Sequence, residues 1–329
     1  MKKSSSTKFK KDFWQKRKVL ITGGCGYLGR ELVKNLISLG SFITVIDKTK
    51  KENCPIANQF PEVDLISEEL NQINVVFDIL KSKNIQTVIH LAAQSGVPGS
   101  QANPVAAFQA NVQTTWSLLE ACRLYGKVSE IVHVSSNHIY GDQKEKPTLE
   151  EAPLNSFGVY GASKACSDLI ARCYAKSYGL PIGIARVTNT FGGEDPHLTH
   201  IITYTINKVL KGEPPIIKSH GLNSKGFLFL EDTIEAIKLL TEKINELNLK
   251  GEAFNFAPDE PIKIIDLVNK ITKLTGETYL KPVILGKLTD PVEEEWLSNK
   301  KAKKILGWHP KYSLEEGLKI TIDYFLRKG

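Results

Sequence analysis

The chain has no long apolar run. Nothing in it approaches the roughly 20 consecutive apolar residues of a membrane-spanning helix, and its basic N-terminus lacks the apolar segment of a secretory signal. No membrane association is expected. The sequence also has no C-x-x-C pair. Its five cysteines, Cys25, Cys54, Cys122, Cys166 and Cys173, are odd in number and scattered, which reads as reduced thiols in a cytoplasmic protein. No group of His, Cys and carboxylate residues has metal-ligand spacing, so no metal is expected. His197 and His200 read as surface histidines. There is no internal repeat, and the body lacks a charge excess. The net charge is +7, and residues 1–18 account for all of it, with eight basic side chains against Asp12 alone. A neutral remainder argues against nucleic acid as a partner. Residues 1–17 read as a solvated, flexible basic leader, whose second half Phe9, Phe13 and Trp14 could tuck against the body.

What is present starts at Val19-Leu20-Ile21-Thr22-Gly23-Gly24-Cys25-Gly26-Tyr27-Leu28-Gly29. An apolar strand ends in glycines, and an amphipathic helix pattern follows at once. That layout holds a dinucleotide pyrophosphate: the helix N-terminus offers free N–H groups, and the glycines allow close approach. The spacing is G-x-x-G-x-x-G rather than G-x-G-x-x-G. By itself it is equally an ordinary glycine turn. Strand and helix then alternate, with strands at Phe42–Ile46, near Glu62–Leu65, Thr87–Leu91, Glu130–Ser135, Ile182–Val187 and Ala253–Phe256. Helices are expected at Tyr27–Leu39, Pro104–Tyr125 and Phe157–Tyr178, among others. The pattern predicts an α/β fold, a Rossmann-type doubly wound parallel sheet with a smaller mixed C-terminal substrate domain. The cofactor domain is expected over 18–190 with a return segment near 229–258. The substrate domain is expected over 191–228 and 259–329.

Three further features carry chemistry. Asp47 ends the second strand, where a carboxylate can accept the adenosine ribose hydroxyls and disfavour a 2′-phosphate, so NAD is the expected cofactor. A carboxylate that merely closes a strand is the plainer reading. Tyr160 and Lys164 are four apart on one helix face, and an ammonium beside the phenol favours the phenolate, making Tyr160 a general base. Ser136 closes the preceding strand at the carboxyl edge, where a hydroxyl can orient the substrate oxygen.

These residues stand in one order, and with Thr22–Gly29, His90-Leu91-Ala92-Ala93, Asn111–Glu120, Ser135-Ser136 with Tyr140-Gly141, Arg186–Gly192 and Asn299–Pro310 the chain resembles the extended short-chain dehydrogenase/reductases, the nucleotide-sugar epimerases and dehydratases. The resemblance covers about residues 18–327. Gly192-Gly193-Glu194-Asp195 and Glu293–Leu297 are most similar to the CDP-glucose 4,6-dehydratase branch. It implies an NAD-dependent enzyme in which Tyr160 takes the proton of a sugar C4 hydroxyl, Ser136 orients it, and Lys164 holds the nicotinamide ribose. Gly23, Gly26, Tyr27, Leu28, Gly29, Asp47, Leu91, Ala92 and Ala93 would complete the cofactor site. The implied partner is a CDP-, UDP- or GDP-hexose, and the implied assembly a homodimer.

Two positions depart from that pattern. Dehydratases place an acid directly after the strand-end Ser or Thr, whereas this chain has Asn137-His138. His138 either substitutes as the acid or is a bystander, and Ser-Ser-Asn-His is also similar to uronate dehydrogenases. Many relatives place Arg where this chain has Lys225, and no arginine lies near Asp290–Trp296. Asn189, Lys208, Lys218 or Lys225 would have to anchor the substrate. The expected function is therefore a C4-oxidising epimerase. The 4,6-dehydratase, the sugar or uronate dehydrogenase, the 4-ketoreductase and, remotely, a catalytically silent binding protein remain as alternatives.

Overall fold

A computed structural model describes residues 11–156, 158–287 and 292–328. The apolar runs become β1 (Lys18–Thr22), β2 (Phe42–Asp47), β3 (Asp64–Ser67), β4 (Thr87–His90), β5 (Glu130–Ser136), β6 (Ile182–Val187) and a last strand, Ala253–Phe256. They form one sheet in the order Ala253–Phe256, β6, β5, β4, β1, β2, β3, and every pairing is parallel. Val19, Leu20 and Ile21 are fully buried, as strands covered on both faces must be. On one face lie the helices Tyr27–Ser38 and Leu230–Glu246, on the other Ile73–Ser82, Thr114–Tyr125 and Val159–Tyr178. Strand order reverses between β1 and β4, which opens a crevice at their carboxyl ends.

The helix expected over Pro104–Tyr125 is interrupted by a π turn, Gln109–Gln113. The reason is Asn111, which is buried there. Its Oδ1 accepts from the Gln94 N–H at 2.7 Å and its Nδ2 donates to Ser163 Oγ at 2.8 Å. Such turns are rare inside α-helices and occur frequently at functional sites.

Trp14, on the short helix Lys11–Trp14, is completely buried and donates from Nε1 to Glu242 Oε1 at 2.6 Å. Of the described part of the basic leader, the segment around Trp14 is thus pinned to the body rather than free. Phe9, the expected helix start Phe157 and Asp290 lie outside the described residues.

The expectation of reduced cysteines is corrected. Cys25 and Cys54 form a disulfide with Cα atoms 5.3 Å apart, across a separation of 29 residues. Because β1 and β2 are neighbours, the turn that follows each lies at the same sheet edge, and topology brings together what the sequence keeps apart. Cys122, Cys166 and Cys173 are free thiols.

A second core, containing Phe191, Ile206, Phe229, Leu267 and Leu318, is built around the helices Ile201–Leu210, Ile264–Leu274 and Leu314–Lys328. Beside it a small sheet joins Ile262–Lys263, Ser224–Lys225 and Glu294–Glu295. Among the described residues no helix is long and apolar enough to cross a membrane.

Candidate active site

The glycine turn is shaped by contacts that leave no room for a side chain. Gly23 has a φ of +73°, and a Cβ on it would stand 2.8 Å from the Ala92 backbone nitrogen. A Cβ on Gly29 would stand 2.3 Å from the Gly23 carbonyl oxygen. Gly26 caps the helix Tyr27–Ser38 without a side-chain hydrogen bond, so the first N–H groups, including those of Leu28 and Gly29, face an uncovered helix end. That is a cradle for a phosphate. Leu91 and Ala92 line its other wall. The Leu91 N–H donates to the Thr22 carbonyl at 3.1 Å and that of Ala92 to Thr22 Oγ1 at 3.2 Å. Ala93 follows, exposed.

Asp47 ends β2 and braces the cradle. Its Oδ2 accepts from the Cys25 N–H at 3.0 Å and its Oδ1 from the Thr49 N–H at 2.9 Å. Each oxygen keeps a lone pair for a ribose hydroxyl. The Tyr27 hydroxyl points elsewhere, donating to the Gly192 carbonyl at 3.1 Å, and so ties the cradle to the C-terminal half. These residues fit a dinucleotide.

Ser136, Tyr160 and Lys164 converge beside this crevice. Ser136 is buried at the end of β5. Its Oγ accepts from the His138 N–H at 3.2 Å and donates to Asn137 Oδ1 at 3.3 Å. Burial pushes the Tyr160 phenol above its ordinary range, and a hydrogen bond with Ser136 works to lower it. Lys164, expected to favour the phenolate, is not among the groups that act on Tyr160 here. The Lys164 ammonium is instead held by the Val134 carbonyl at 2.6 Å, and burial brings it down to about 8, with Asp168 acting to raise it. The His138 ring meets the Tyr160 ring edge to face, with centroids 5.5 Å apart.

The expected substrate residues meet at a group that the sequence reading did not single out. Glu295 is buried, and its Oε2 accepts from Asn137 Nδ2 at 2.8 Å and from Asn189 Nδ2 at 2.9 Å, while Oε1 accepts from Lys225 Nζ at 2.7 Å. Burial works to raise this carboxyl, but Lys225, His138 and Asn189 outweigh it and bring it down to about 2. It lies in the Glu293–Leu297 stretch that carries the branch resemblance, which gives it no role, and in the acidic run Glu293-Glu294-Glu295, which by itself reads as a solvated face. Lys208 pairs instead with Glu213, and Lys218 is exposed.

His197 and His200 are not isolated surface groups. Each offers Nδ1 to the buried Asp195 carboxylate, at 2.9 Å and 2.7 Å. The three ligand-type atoms lie within 4.8 Å of one another, just before the helix Ile201–Leu210, whose Thr203 Oγ1 donates to Asp195 Oδ2 at 3.3 Å. Two other motif residues turn out to be scaffold. Arg186 grips Asp168 with two bonds of 2.9 Å, in complete burial, and donates to the Tyr140 hydroxyl at 2.8 Å.

Residues 19–257 match the NAD dependent epimerase/dehydratase family, and the chain belongs to that family. It is 28% identical over 324 residues to a trifunctional UDP-glucose 4,6-dehydratase/UDP-4-keto-6-deoxy-D-glucose 3,5-epimerase/UDP-4-keto-L-rhamnose-reductase of Arabidopsis thaliana, covering 95% of this chain and 48% of that protein. The chain thus spans about half the length of that relative. It is 29% identical to a putative UDP-glucose 4-epimerase of Methanocaldococcus jannaschii, covering 93% of this chain and 97% of the relative. Its fold superposes on a dTDP-glucose 4,6-dehydratase from Bacillus anthracis in complex with NAD, with a TM-score of 0.84, 25% identity and coverage of 94% and 97% of the two chains.

Proposed function

We propose that this protein is an NAD-dependent epimerase acting at C4 of a nucleotide-linked hexose. The glycine cradle with Tyr27, Leu28, Asp47, Leu91, Ala92 and Ala93 would hold the cofactor, with Tyr160 and Lys164 at its nicotinamide end. Bound NAD supplies the hydride acceptor. On this reading Tyr160 removes the proton of the C4 hydroxyl, Ser136 orients that hydroxyl, and Lys164 places positive charge beside the developing phenolate. The high resting position of the phenol means that this charge matters most when the site is loaded.

The observation that favours epimerisation over elimination is the state of Glu295 and Asn137. Elimination needs an acid to protonate the leaving C6 hydroxyl. Asn137 occupies the usual position of that acid and has no proton to give. The carboxylate behind it is ionised at neutral pH. His138 is the remaining acid for the second reading, a 4,6-dehydratase, because its ring lies against Tyr160.

A cytoplasmic homodimer accords with a soluble sugar-nucleotide enzyme. The test is product mass and stereochemistry from a panel of CDP-, UDP- and GDP-hexoses. A product of unchanged mass and inverted C4 is expected, with no net consumption of NAD. Loss of one water would establish the dehydratase reading instead, and stoichiometric reduction of added NAD the dehydrogenase.

A further inference from the structure

The residues that the sequence marks for substrate come from three distant segments, yet all three are clasped by one side chain. Glu295 stands on the short strand Glu294–Glu295, in parallel register with Ser224–Lys225. The Gly226 N–H donates to the Glu295 carbonyl at 3.1 Å, so backbone pairing sets the depth at which the carboxylate enters the site. Its side chain is 7% exposed.

A carboxylate only accepts hydrogen bonds. The edge of Asn137 that faces Glu295 is therefore its NH2, at 2.8 Å, and the Asn137 carbonyl must point the other way. There it accepts from Ser136 Oγ at 3.3 Å. Ser136 Oγ in turn accepts from the His138 N–H at 3.2 Å. A continuous chain thus runs from the buried carboxylate through Asn137 to Ser136, the hydroxyl that the proposed mechanism pairs with Tyr160. Asn189 is held by the same oxygen as Asn137, and Lys225 by the other.

We infer that Glu295 is the positioning residue of this active site, orienting the Asn137 amide and through it the Ser136 hydroxyl that serves Tyr160. The inference rests on the Ser136–Tyr160–Lys164 reading above. Glu295 itself moves no proton and touches none of the reacting atoms in this scheme. Its role is to set which way two hydrogen-bonding groups face before substrate arrives. Three donors left without their acceptor would turn to other partners, and the Ser136 hydroxyl would lose its fixed direction.

The test uses the full-length enzyme and a nucleotide sugar that it turns over. Glu295→Gln keeps the size but offers one oxygen and an NH2 to three donors. It should lower kcat roughly 10- to 100-fold, change KM by less than about threefold, and leave the NAD content of the purified protein unchanged, because the cofactor cradle is untouched. Asn137→Ala breaks the same chain one link nearer Tyr160, so the double variant should be no slower than the slower single variant. Losses that multiply would overturn the inference, as would Glu295→Gln with native kcat and only a lowered melting temperature. Should Glu295→Gln not fold, Asn137→Ala alone decides: native kcat there removes the chain. Tyr160→Phe separates the two levels. If it is dead while Glu295→Gln is native, only this inference fails. If Tyr160→Phe turns over normally, the site reading itself fails.

Discussion

The proposed cofactor side and the proposed sugar side of this molecule are built on different principles. The cofactor side is made of backbone: Gly23, Gly26 and Gly29 shape a turn whose working atoms are N–H groups, and Asp47 holds that turn to β2 through the Cys25 N–H. The sugar side is made of side chains. Asn137, Asn189, Lys225 and Glu295 come from four segments, and the bonds that join them to Glu295 span 158, 106 and 70 residues. A backbone site tolerates almost any neighbour but no added atom at the glycines. A side-chain site tolerates repacking but depends on charge balance. The two halves should therefore fail differently when altered.

The largest expected effect lies where the halves meet. Tyr160→Phe removes the hydroxyl that the proposed mechanism uses as base while leaving every glycine contact in place. Turnover should fall by about 10²- to 10⁴-fold, with NAD retained at the native level. Loss of cofactor together with activity would erase the distinction between the halves. Next in size is Gly29→Ala. The added carbon would stand 2.3 Å from the Gly23 carbonyl oxygen and 2.6 Å from the Gly24 Cα, both backbone atoms that cannot swing aside. Forcing it in should cost about 1–3 kcal/mol of stability and lower NAD retention. A denaturant melt and the bound-nucleotide content check both. An unchanged NAD content would show that the cradle is looser than its contacts imply.

That contrast also explains what the sequence reveals. The strands, their parallel order and the glycine turn are legible because each is written in contiguous residues: an apolar run, a glycine cluster, an amphipathic helix. Tyr160 and Lys164 are legible because helical spacing places them on one face. Glu295 is not, because nothing local distinguishes its carboxylate from those of Glu293 and Glu294. Only the register of a two-residue strand with Ser224–Lys225 turns it inward. The Cys25–Cys54 bond escapes for the same reason, since its proximity comes from the adjacency of β1 and β2. The π turn at Asn111 likewise reflects a tertiary demand, the burial of one amide, that overrides a helical pattern on either side.

Acid should sharpen the comparison further. His90 lies beneath the crevice on β4, fully enclosed, bonded to Thr22 Oγ1 at 2.7 Å and to Thr115 Oγ1 at 3.0 Å. Burial lowers it from 6.5 to about 3, with Lys164 adding to the shift. The folded state therefore resists protonation that the unfolded chain accepts. The stability this represents is fully present above pH 6.5 and is lost as pH falls from there toward 3, by a few kcal/mol in total. Glu295, brought down from 4.5 to about 2, loses its contribution only in a more acidic window. Melting temperature against pH should thus begin to fall near pH 6.5, before the sugar-side carboxylate protonates. In His90→Asn the first part of that fall should flatten.

The smallest effect concerns which lysine serves the substrate phosphates. Lys208 sits on the helix Ile201–Leu210, with its partner Glu213 about half exposed and its own side chain 34% exposed. Solvent and salt screen such a pair, and nothing directs its charge into the Asn137–Asn189 cluster. Lys225 is 16% exposed and its partner Glu295 is 7% exposed, so its charge is felt through protein rather than water. Lys208→Ala should leave the KM for the nucleotide sugar within about twofold of native, whereas Lys225→Met should raise it several-fold. The reverse result would place the phosphate anchor on the outer helix. The Lys225–Glu295 pair would then be a neutral wall of the sugar pocket, with the substrate's charge held outside it.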